Sequence, residues 1–393
     1  MRQLWSPPLI GVLALAAALS GCTTTVPDAI VSPSPTATAT PEPAIDAGPV
    51  ARIDSTCEDI LDAAALQAFM GTNVNALESV PLSETLTPDS AAGEQLGSLT
   101  CRWTNGLQGN QFTGPAVDAQ SVRLAVLPEG LESAIEYVEL YSIADPTYGE
   151  HVQGPRCVAS VGEFSTSHCE LYGVIGETWV ELTVDGIAAA AGTTDDTLVA
   201  GFRAVIDPLV AKIQAATVAA RWVPGGVASG IAGADCDALT PTDAIVGVTA
   251  IPNLRVGPQW DGPRVGQYWY TTGETGALRC SLAMADSDSS VGQIGILPNG
   301  AWAFDRFADD WRAEGGVPVD LDGVDERDAI IRCADAESTC SIDVVVGGDW
   351  MRVGVYPVPA PHVEYGPPAA YFESARSAAP AIAAIVAERM LAY

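Results

Sequence analysis

The sequence has few basic residues: 18 among 393, of which only Lys212 is a lysine, against 49 acidic residues. The formal net charge is −31 at pH 7. A surface this acidic repels the phosphates of nucleic acids and the head groups of anionic lipids. The composition therefore excludes a nucleic acid as a partner.

Recognisable catalytic motifs are also absent. The chain has three histidines, at 151, 168 and 362, and it contains no GxSxG elbow, HExxH motif, P-loop or dinucleotide-binding glycine motif. We therefore predict no catalytic residue, no metal and no cofactor. A histidine-dependent hydrolase is one alternative. A second is a hydrolase that uses a pair of carboxylates in one part of the chain, because the many acidic residues leave that choice open.

The chain has one long apolar run, from Leu9 to Leu19, which follows the basic Arg2 and is shorter than a comfortable membrane span. It ends in Leu-Ser-Gly-Cys, which matches the bacterial lipobox, and Cys22 is then the acylated N-terminus of the mature chain. We predict a lipoprotein signal peptide over 1–21. The alternative is an ordinary secretory signal with a coincidental cysteine.

Residues 22–50 are rich in Pro, Thr, Ala and Ser, and such a composition forms an extended tether rather than a packed core. The prediction is a chain anchored to the lipid bilayer through acylated Cys22, on the outer face of the cell membrane. Several acyl chains anchor firmly, whereas a single one would bind only marginally.

Without Cys22, eight cysteines remain, and they form two sets of four. An even number of cysteines in an exported protein indicates disulfides. The separation of 44 positions between the first two cysteines recurs in both sets, which favours pairing within each set. The expected bridges are Cys57–Cys101, Cys157–Cys169, Cys236–Cys280 and Cys333–Cys340. A zinc site is the rival interpretation, but the sequence has no CxxC motif.

Other phrases repeat in the same order as the cysteines. "VRLAVLPEG" at 122–130 is similar to "GQIGILPNG" at 292–300, and "GVIGETWVELTV" at 173–184 is similar to "VVVGGDWMRVGV" at 344–355. A repeat this long indicates duplication of a whole domain, since solenoid units are much shorter. We predict a first domain at 51–222, a Gly- and Pro-rich linker at 223–233 and a second domain at 234–393.

Each copy shows the same order of patterns: helix, strands, helix, strands, helix. Gly176-Glu177 and Gly347-Gly348 are turn sequences between runs rich in valine and aromatics, which predicts a β-hairpin in each copy. The predicted fold class is α+β: two tandem copies of an antiparallel-sheet domain with helices packed on one face, stapled by disulfides. Trp179 and Trp350, just after the turns, are expected in the core under the closing helix.

The combination of a lipobox, a Pro/Thr tether and the motifs C-x-x-[IL]-L and C-R-W resembles a group of actinobacterial surface lipoproteins of unknown function. The matching residues are Cys57, Ile60, Leu61, Cys101, Arg102 and Trp103. The second copy departs from the motif, since Ser281 and Leu282 stand at the Arg and Trp positions. The resemblance implies a secreted α+β domain that binds a ligand or a protein.

Two further features suggest sites. Four aromatics precede Cys280, in a region where the first copy has none, and they form a candidate binding patch: Trp260, Tyr268, Trp269 and Tyr270. The alternative is a strand on which the two tyrosines pack inward. "DLDGVDERD" at 320–328 suggests calcium ligands but departs from the EF-hand order, so a solvated acidic loop is preferred.

The sequence therefore favours a membrane-tethered, non-catalytic lipoprotein outside the membrane, with a small molecule, a cell-wall component or a protein as its ligand. The alternative is an envelope hydrolase that uses a carboxylate pair in one of the two domains.

Overall fold

The structure is a computed structural model that describes residues 48–393 with several gaps. The gaps are 72–74, 108–117, 132–133, 136–147, 150, 161–165, 191, 226–228, 250, 252, 259–265, 285–289, 335–338 and 356–368. Cys22, Trp260, the signal peptide and nearly all of the tether therefore lie outside the described residues.

The first copy forms a six-stranded antiparallel sheet with a long closing helix. Its elements in chain order are α1 (Cys57–Ile60), α2 (Ala63–Met70), β1 (Glu78–Ser79), α3 (Leu82–Thr85), α4 (Ala91–Gln95), β2 (Leu99–Thr104), β3 (Ser121–Pro128), β4 (Val152–Val158), β5 (Ser167–Ile175), β6 (Thr178–Ile187) and α5 (Asp195–Ala215). The strand order across the sheet is β1-β2-β3-β6-β5-β4.

The second copy repeats this plan around a seven-stranded antiparallel sheet. Its elements are α6 (Cys236–Leu239), α7 (Thr242–Thr249), β7 (Leu254–Pro258), α8 (Gln267–Thr275), β8 (Leu278–Met284), β9 (Ser290–Leu297), α9 (Ala301–Ala313), β10 (Val317–Pro318), a 3₁₀ turn (Glu326–Asp328), β11 (Ala329–Ala334), β12 (Thr339–Val346), β13 (Asp349–Val355) and α10 (Ala369–Ala392). The strand order is β10-β11-β12-β13-β9-β8-β7.

The predicted α+β fold class with two tandem antiparallel sheets is confirmed. In each copy one face of the sheet carries alternating apolar side chains that pack against the closing helix, α5 in the first copy and α10 in the second. Both closing helices continue through their prolines, Pro208 and Pro380. Among the described helices, none is both long enough and apolar enough to cross a membrane.

The four disulfides join the pairs that the spacing predicts: Cys57–Cys101, Cys157–Cys169, Cys236–Cys280 and Cys333–Cys340. The long-range bridges connect the first helix of each copy to the strand β2 or β8. The short-range bridges join directly opposed residues of neighbouring strands, β4 with β5 and β11 with β12. In each copy, one disulfide thus joins the sheet to the N-terminal helix, and a second joins two neighbouring strands.

The first helix, α1, begins with a capping box. The Thr56 hydroxyl accepts a hydrogen bond from the Asp59 main-chain N–H at 3.1 Å, and the Asp59 carboxylate accepts one from the Thr56 N–H at 3.3 Å. The helix then breaks at Leu61, and a second helix starts with Asp62 as its N-cap. The chain therefore forms two short helices here, and the second ends at Gly71.

Both predicted hairpins are present, with Gly176-Glu177 joining β5 to β6 and Gly347-Gly348 joining β12 to β13. The two glycines of the second turn have φ of 61° and 98°, which fits the left-handed turn that such hairpins need. Trp179 and Trp350 are buried as predicted, but not under the closing helices. They lie on the opposite face of each sheet, where they contribute to separate apolar clusters.

At this opposite face, each copy contributes a segment that packs against the sheet of the other copy. We call these two segments the exchanged segments. Leu86, Ala91 and Ala92 of the first copy pack in one cluster with Trp302 and Trp350 of the second. In return, α8 of the second copy lies on the first sheet. Its Tyr270 ring stands 5.9 Å from that of Trp179 between centroids.

Side-chain amides fix both exchanged segments. Gln95 donates to the Pro298 carbonyl at 3.0 Å and accepts from the Trp302 indole N–H at 3.0 Å. Gln267 donates to the carbonyls of Ala125 at 3.2 Å and Trp179 at 2.9 Å. Because buried polar groups are costly unless paired, these bonds define how the halves fit together.

Residues 46–393 consequently form one compact unit that contains both sheets. The sequence boundary at 223–233 separates the strands of the two sheets, and the division into two domains stays a prediction.

Candidate functional site

A cavity of about 600 Å³ opens over the face of the first sheet that points away from α5. We call it the sheet cavity. Its floor is formed by polar side chains of β2, β3, β6 and β5, and its wall by the α3–α4 segment together with Tyr268 of α8. Its polar lining residues are Thr85, Ser90, Glu94, Thr100, Arg102, Arg123, His168, Glu170, Tyr172, Glu181, Thr183, Asp185 and Tyr268.

One row of this floor carries most of the charge. Reading directly across the paired strands, the row is Arg102, Arg123, Thr183, Glu170 and Arg156. All but the last line the cavity. These residues alternate with core residues along each strand, so the pleat that buries Cys101 and Trp103 necessarily turns Arg102 toward the cavity.

Two arginines stand side by side at one end of the row. Arg102 and Arg123 are direct cross-strand neighbours, and both side chains are exposed. The pKa of Arg102 is lowered below its usual value, mainly because its side chain is partly desolvated by burial and also because Arg123 is positively charged. Arg123 has a loose partner in Asp185 at 4.0 Å, whereas Arg102 makes no ion pair with any residue that the structure describes.

The second copy gives an internal comparison for this row. The equivalent row there is Ser281, Gln293, Gly354, Ser341 and Arg332, in the same register. The two arginines and the glutamate of the first copy are thus replaced by uncharged residues in a sheet of the same topology. Charge at these positions is therefore not required by the fold.

Glu94 of α4 is a buried carboxyl in the wall of the sheet cavity, with 8% of its surface exposed. Burial is the main cause that raises its pKa to about 7, while the Thr100 side chain and the positive charge of Arg306 act in the opposite direction. Its Oε1 atom has no hydrogen-bond partner among the described residues. A buried oxygen without a partner is costly, so Oε1 is an unsatisfied polar atom on a residue that lines the cavity.

Glu181 of β6 lines the same cavity and is half-buried beneath the start of α8. Its Oε1 accepts a hydrogen bond from the Gln267 main-chain N–H at 2.7 Å, at the N-terminus of that helix. Burial raises its pKa to about 7, and the bond from Gln267 opposes the shift. The sheet cavity is thus lined by two carboxyls whose pKa burial raises to about 7.

The same face of the second sheet is instead occupied by a buried ionic cluster. Asp343 is fully buried and accepts hydrogen bonds from Arg352 at 2.6 Å, Arg332 at 3.1 Å and the Trp350 indole at 3.0 Å. Arg352 also donates to the Leu86 carbonyl of the first copy. These groups are paired with one another, so we assign them a structural role.

The structure separates the predicted aromatic patch. Tyr268, Trp269 and Tyr270 lie on helix α8, so the alternative of a strand is wrong. Tyr268 and Trp269 line a second cavity of about 430 Å³ beside Cys236, and Tyr268 also lines the sheet cavity. Tyr270 instead packs inward against Trp179.

Other predicted features take different positions. His168 lies on the floor of the sheet cavity, beside the disulfide-bonded Cys169. The acidic stretch at 320–328 forms a turn in which Asp325 binds the side chain of Arg327 at 3.2 Å. Within the described parts of the chain, no group of three or more His, Cys, Asp or Glu residues is arranged to hold a metal ion.

No protein-family model matches the chain, and no curated protein matches it either. Among solved structures, the chain is similar to the crystal structure of DynU16, a protein of the dynemicin biosynthetic locus. The identity is 10%, the match covers 81% of this chain and 98% of the other, and the TM-score is 0.13. A similarity of this size carries no argument about fold or function.

Proposed function

We propose that the protein is a binding protein anchored by lipid to the outer face of the cell membrane, and that the sheet cavity of the first copy is its ligand site. The observation that carries this proposal is the difference between the two copies. Arg102, Arg123 and Glu170 line a cavity on one sheet, while the equivalent positions of the other sheet are uncharged. The second copy keeps the fold without these charged residues, so folding does not account for them. Ligand binding is the best explanation for their presence in the first copy.

The size and lining of the cavity support this interpretation. Small-molecule sites commonly occupy about 300–1,000 Å³ and combine apolar walls with a few well-placed polar groups. The sheet cavity, at about 600 Å³, has Leu82, Leu86 and Leu124 beside its charged floor. Four disulfides and the lipobox at Cys22 support a location outside the cytoplasm.

Native mass spectrometry tests the ligand site. The full chain, extracted from the membrane in detergent, is compared under native and denaturing conditions. We expect extra mass in the native spectrum alone, and we expect Thr183→Trp, which places a large ring on the cavity floor, to abolish it. Ser121→Trp is the matched control, because Ser121 is on β3 but does not line the cavity. Equal ligand content in the two variants would contradict the proposal.

A second function is favoured by one specific observation: Glu94 and Glu181 line the same cavity, and the pKa of each is raised to about 7. One protonated and one ionised carboxyl are the pair that an acid–base hydrolase needs. In that case the first copy would be an envelope hydrolase.

The two functions are separated by the fate of the ligand. Ligand recovered from the wild-type protein is incubated with fresh wild-type protein and with Glu94→Gln and Glu181→Gln variants. A binding protein returns the ligand unchanged in all three samples. Cleavage with the gain of one water, lost in both variants, would establish the hydrolase instead.

A further inference from the structure

The pair Arg102–Arg123 has no structural explanation. Like charges placed directly opposite each other on neighbouring strands are destabilising, and here they are cross-strand neighbours. In a chain with only 18 basic residues and a net charge of −31, nearby acidic partners would be easy to supply. Yet Arg102 has no ion pair within the described structure.

The equivalent residues of the second copy show what the fold alone requires. Ser281 and Gln293 are direct neighbours at the matching positions of β8 and β9. Gln293 is held by Arg279, which donates to its Oε1 at 2.8 Å. An uncharged pair therefore supports the same sheet, and the arginines of the first copy are an addition to it.

The complementary chemistry lies beside the arginines, because Glu181 pairs with Ala125, two positions from Arg123 on β3. Glu94 is more than nine-tenths buried and its Oε1 has no hydrogen-bond partner among the described residues, and Glu181 supplies a second carboxyl. Arginine side chains bind carboxylates and phosphates through paired N–H donors. Carboxyl oxygens accept from hydroxyl or amino groups. The cavity thus has two arginines with carboxyl groups beside them.

We infer that Arg102 and Arg123 form an anion subsite of the sheet cavity, and that its ligand is a small molecule with a carboxylate or phosphate group and hydrogen-bond donors close to that group. This inference rests on the proposed function and specifies the chemistry of its ligand. An anion at this subsite also relieves the repulsion between the two guanidinium groups.

The test is an NMR titration of the full chain in detergent, which follows the arginine side-chain Nε–H signals as inorganic phosphate or succinate is added. The signals of Arg102 and Arg123 are assigned from the variants Arg102→Ser and Arg123→Gln, which introduce the residues of the second copy. We expect saturable shifts of both signals with at least one probe. The probe that binds more tightly indicates whether the ligand carries a phosphate or a carboxylate.

The variants give the quantitative prediction. Each of Arg102→Ser and Arg123→Gln should weaken probe binding at the remaining arginine by roughly tenfold or more, since a charge-assisted hydrogen bond is worth at least that much. Arg156→Gln is the matched control: it removes one charge from the same row, but Arg156 does not line the cavity. It should change the affinity less than twofold. Linear, unsaturated shifts with both probes, or equal weakening by the control, would overturn the inference.

Two outcomes separate this inference from the function on which it rests. A native ligand that the Arg102→Ser/Arg123→Gln double variant retains would overturn the anion subsite and leave the cavity as the binding site. A native ligand retained in Thr183→Trp would instead overturn the cavity as its binding site, whatever the small probes do at the two arginines.

Discussion

The phenolic oxygen of Tyr268 donates a hydrogen bond to Asp89 Oδ2 at 2.8 Å, and these residues occupy equivalent positions in the two copies. They are 179 positions apart, the same offset that separates Cys101 from Cys280. Each lies in the segment that its own copy contributes to the other. The bond therefore marks the point where the two exchanged segments meet.

The loss of stability on removing this bond shows how much it contributes to holding the two exchanged segments together. In Tyr268→Phe, Asp89 keeps its ion pair with Arg279 at 3.2 Å, so we expect a loss of about 1–2 kcal/mol in the free energy of unfolding. Urea denaturation gives the value. Tyr393→Phe, at an exposed tyrosine, is the control and should be neutral. A Tyr268→Phe variant as stable as this control would argue against a structural role for the contact.

Exchange of segments also predicts that the two halves unfold together. The Cys57–Cys101 bridge closes a loop of 44 positions, so replacing both cysteines with alanine should cost roughly 3–4 kcal/mol in the chain-entropy account. Hydrogen exchange followed by mass spectrometry should show weaker protection in peptides from β2–β3 and from β12–β13 alike. If protection of the second sheet is unchanged, the halves are independent.

The ionic cluster of the second copy should be sensitive to loss of its buried anion, Asp343. Asp343→Asn leaves Arg332 and Arg352 without their shared carboxylate in a buried site, and we expect a loss of about 3–5 kcal/mol. Thermal or chemical unfolding measures it. Asp309→Asn, whose carboxylate is 97% exposed beside Arg312, should change stability by less than about 0.5 kcal/mol. Comparable effects of the two changes would refute the structural assignment.

Glu94 should make stability fall as the pH rises toward neutrality. Burial raises its folded-state pKa from 4.5 to about 7, so the folded chain keeps a proton that the unfolded chain releases. The stabilisation from that proton is complete below pH 4.5 and is lost as the pH approaches 7, at up to about 1.4 kcal/mol per pH unit. The measurement is urea denaturation of the wild type and Glu94→Gln across this range.

Glu94→Gln carries no titrating proton, so its stability should lack this component, while the exposed Glu58→Gln should keep the wild-type slope. Identical slopes for the wild type and Glu94→Gln would show that this carboxyl titrates normally.

The proposed membrane attachment is through Cys22, which lies outside the described residues. Cys22→Ser removes the thiol that the lipobox predicts to be acylated, so the variant should fail to incorporate labelled palmitate and should leave the membrane fraction. A variant with Ser20→Ala, which keeps the cysteine, should remain attached. Membrane retention of Cys22→Ser would favour an ordinary secretory signal with another means of attachment.

The features that the sequence predicted correctly are local or repeated. The pairing of Cys57 with Cys101 follows from a spacing that recurs in the second copy, and the hairpins follow from short glycine turns. Each of these signals lies within a few residues or is supported by its duplicate.

The exchanged segments were not predictable in the same way. Leu86 packs near Trp350, more than 260 positions away, and no local pattern encodes that contact. The run Tyr268-Trp269-Tyr270 has the composition of a strand, but Gly276 ends a helix there in the left-handed conformation, with φ of 69°. Tertiary contacts of Gln267 and Tyr270 decide the outcome over strand propensity.

The residues of the sheet cavity could not be predicted from local sequence patterns either. Arg102 was part of a recognised motif, yet its partner Arg123 lies on another strand, and only the register between β2 and β3 brings them together. Glu94 gave no signal at all, because burial rather than sequence context makes it unusual.

Above all, we propose that the sheet cavity of the first copy holds the ligand. The most direct measurement is a crystal structure of the full chain purified from its own membrane, from a preparation whose native mass spectrum shows bound ligand. We predict electron density for a small molecule between Arg102, Arg123 and Glu94. Ordered water alone in that cavity, with the ligand found beside Trp269 or elsewhere, would contradict the account.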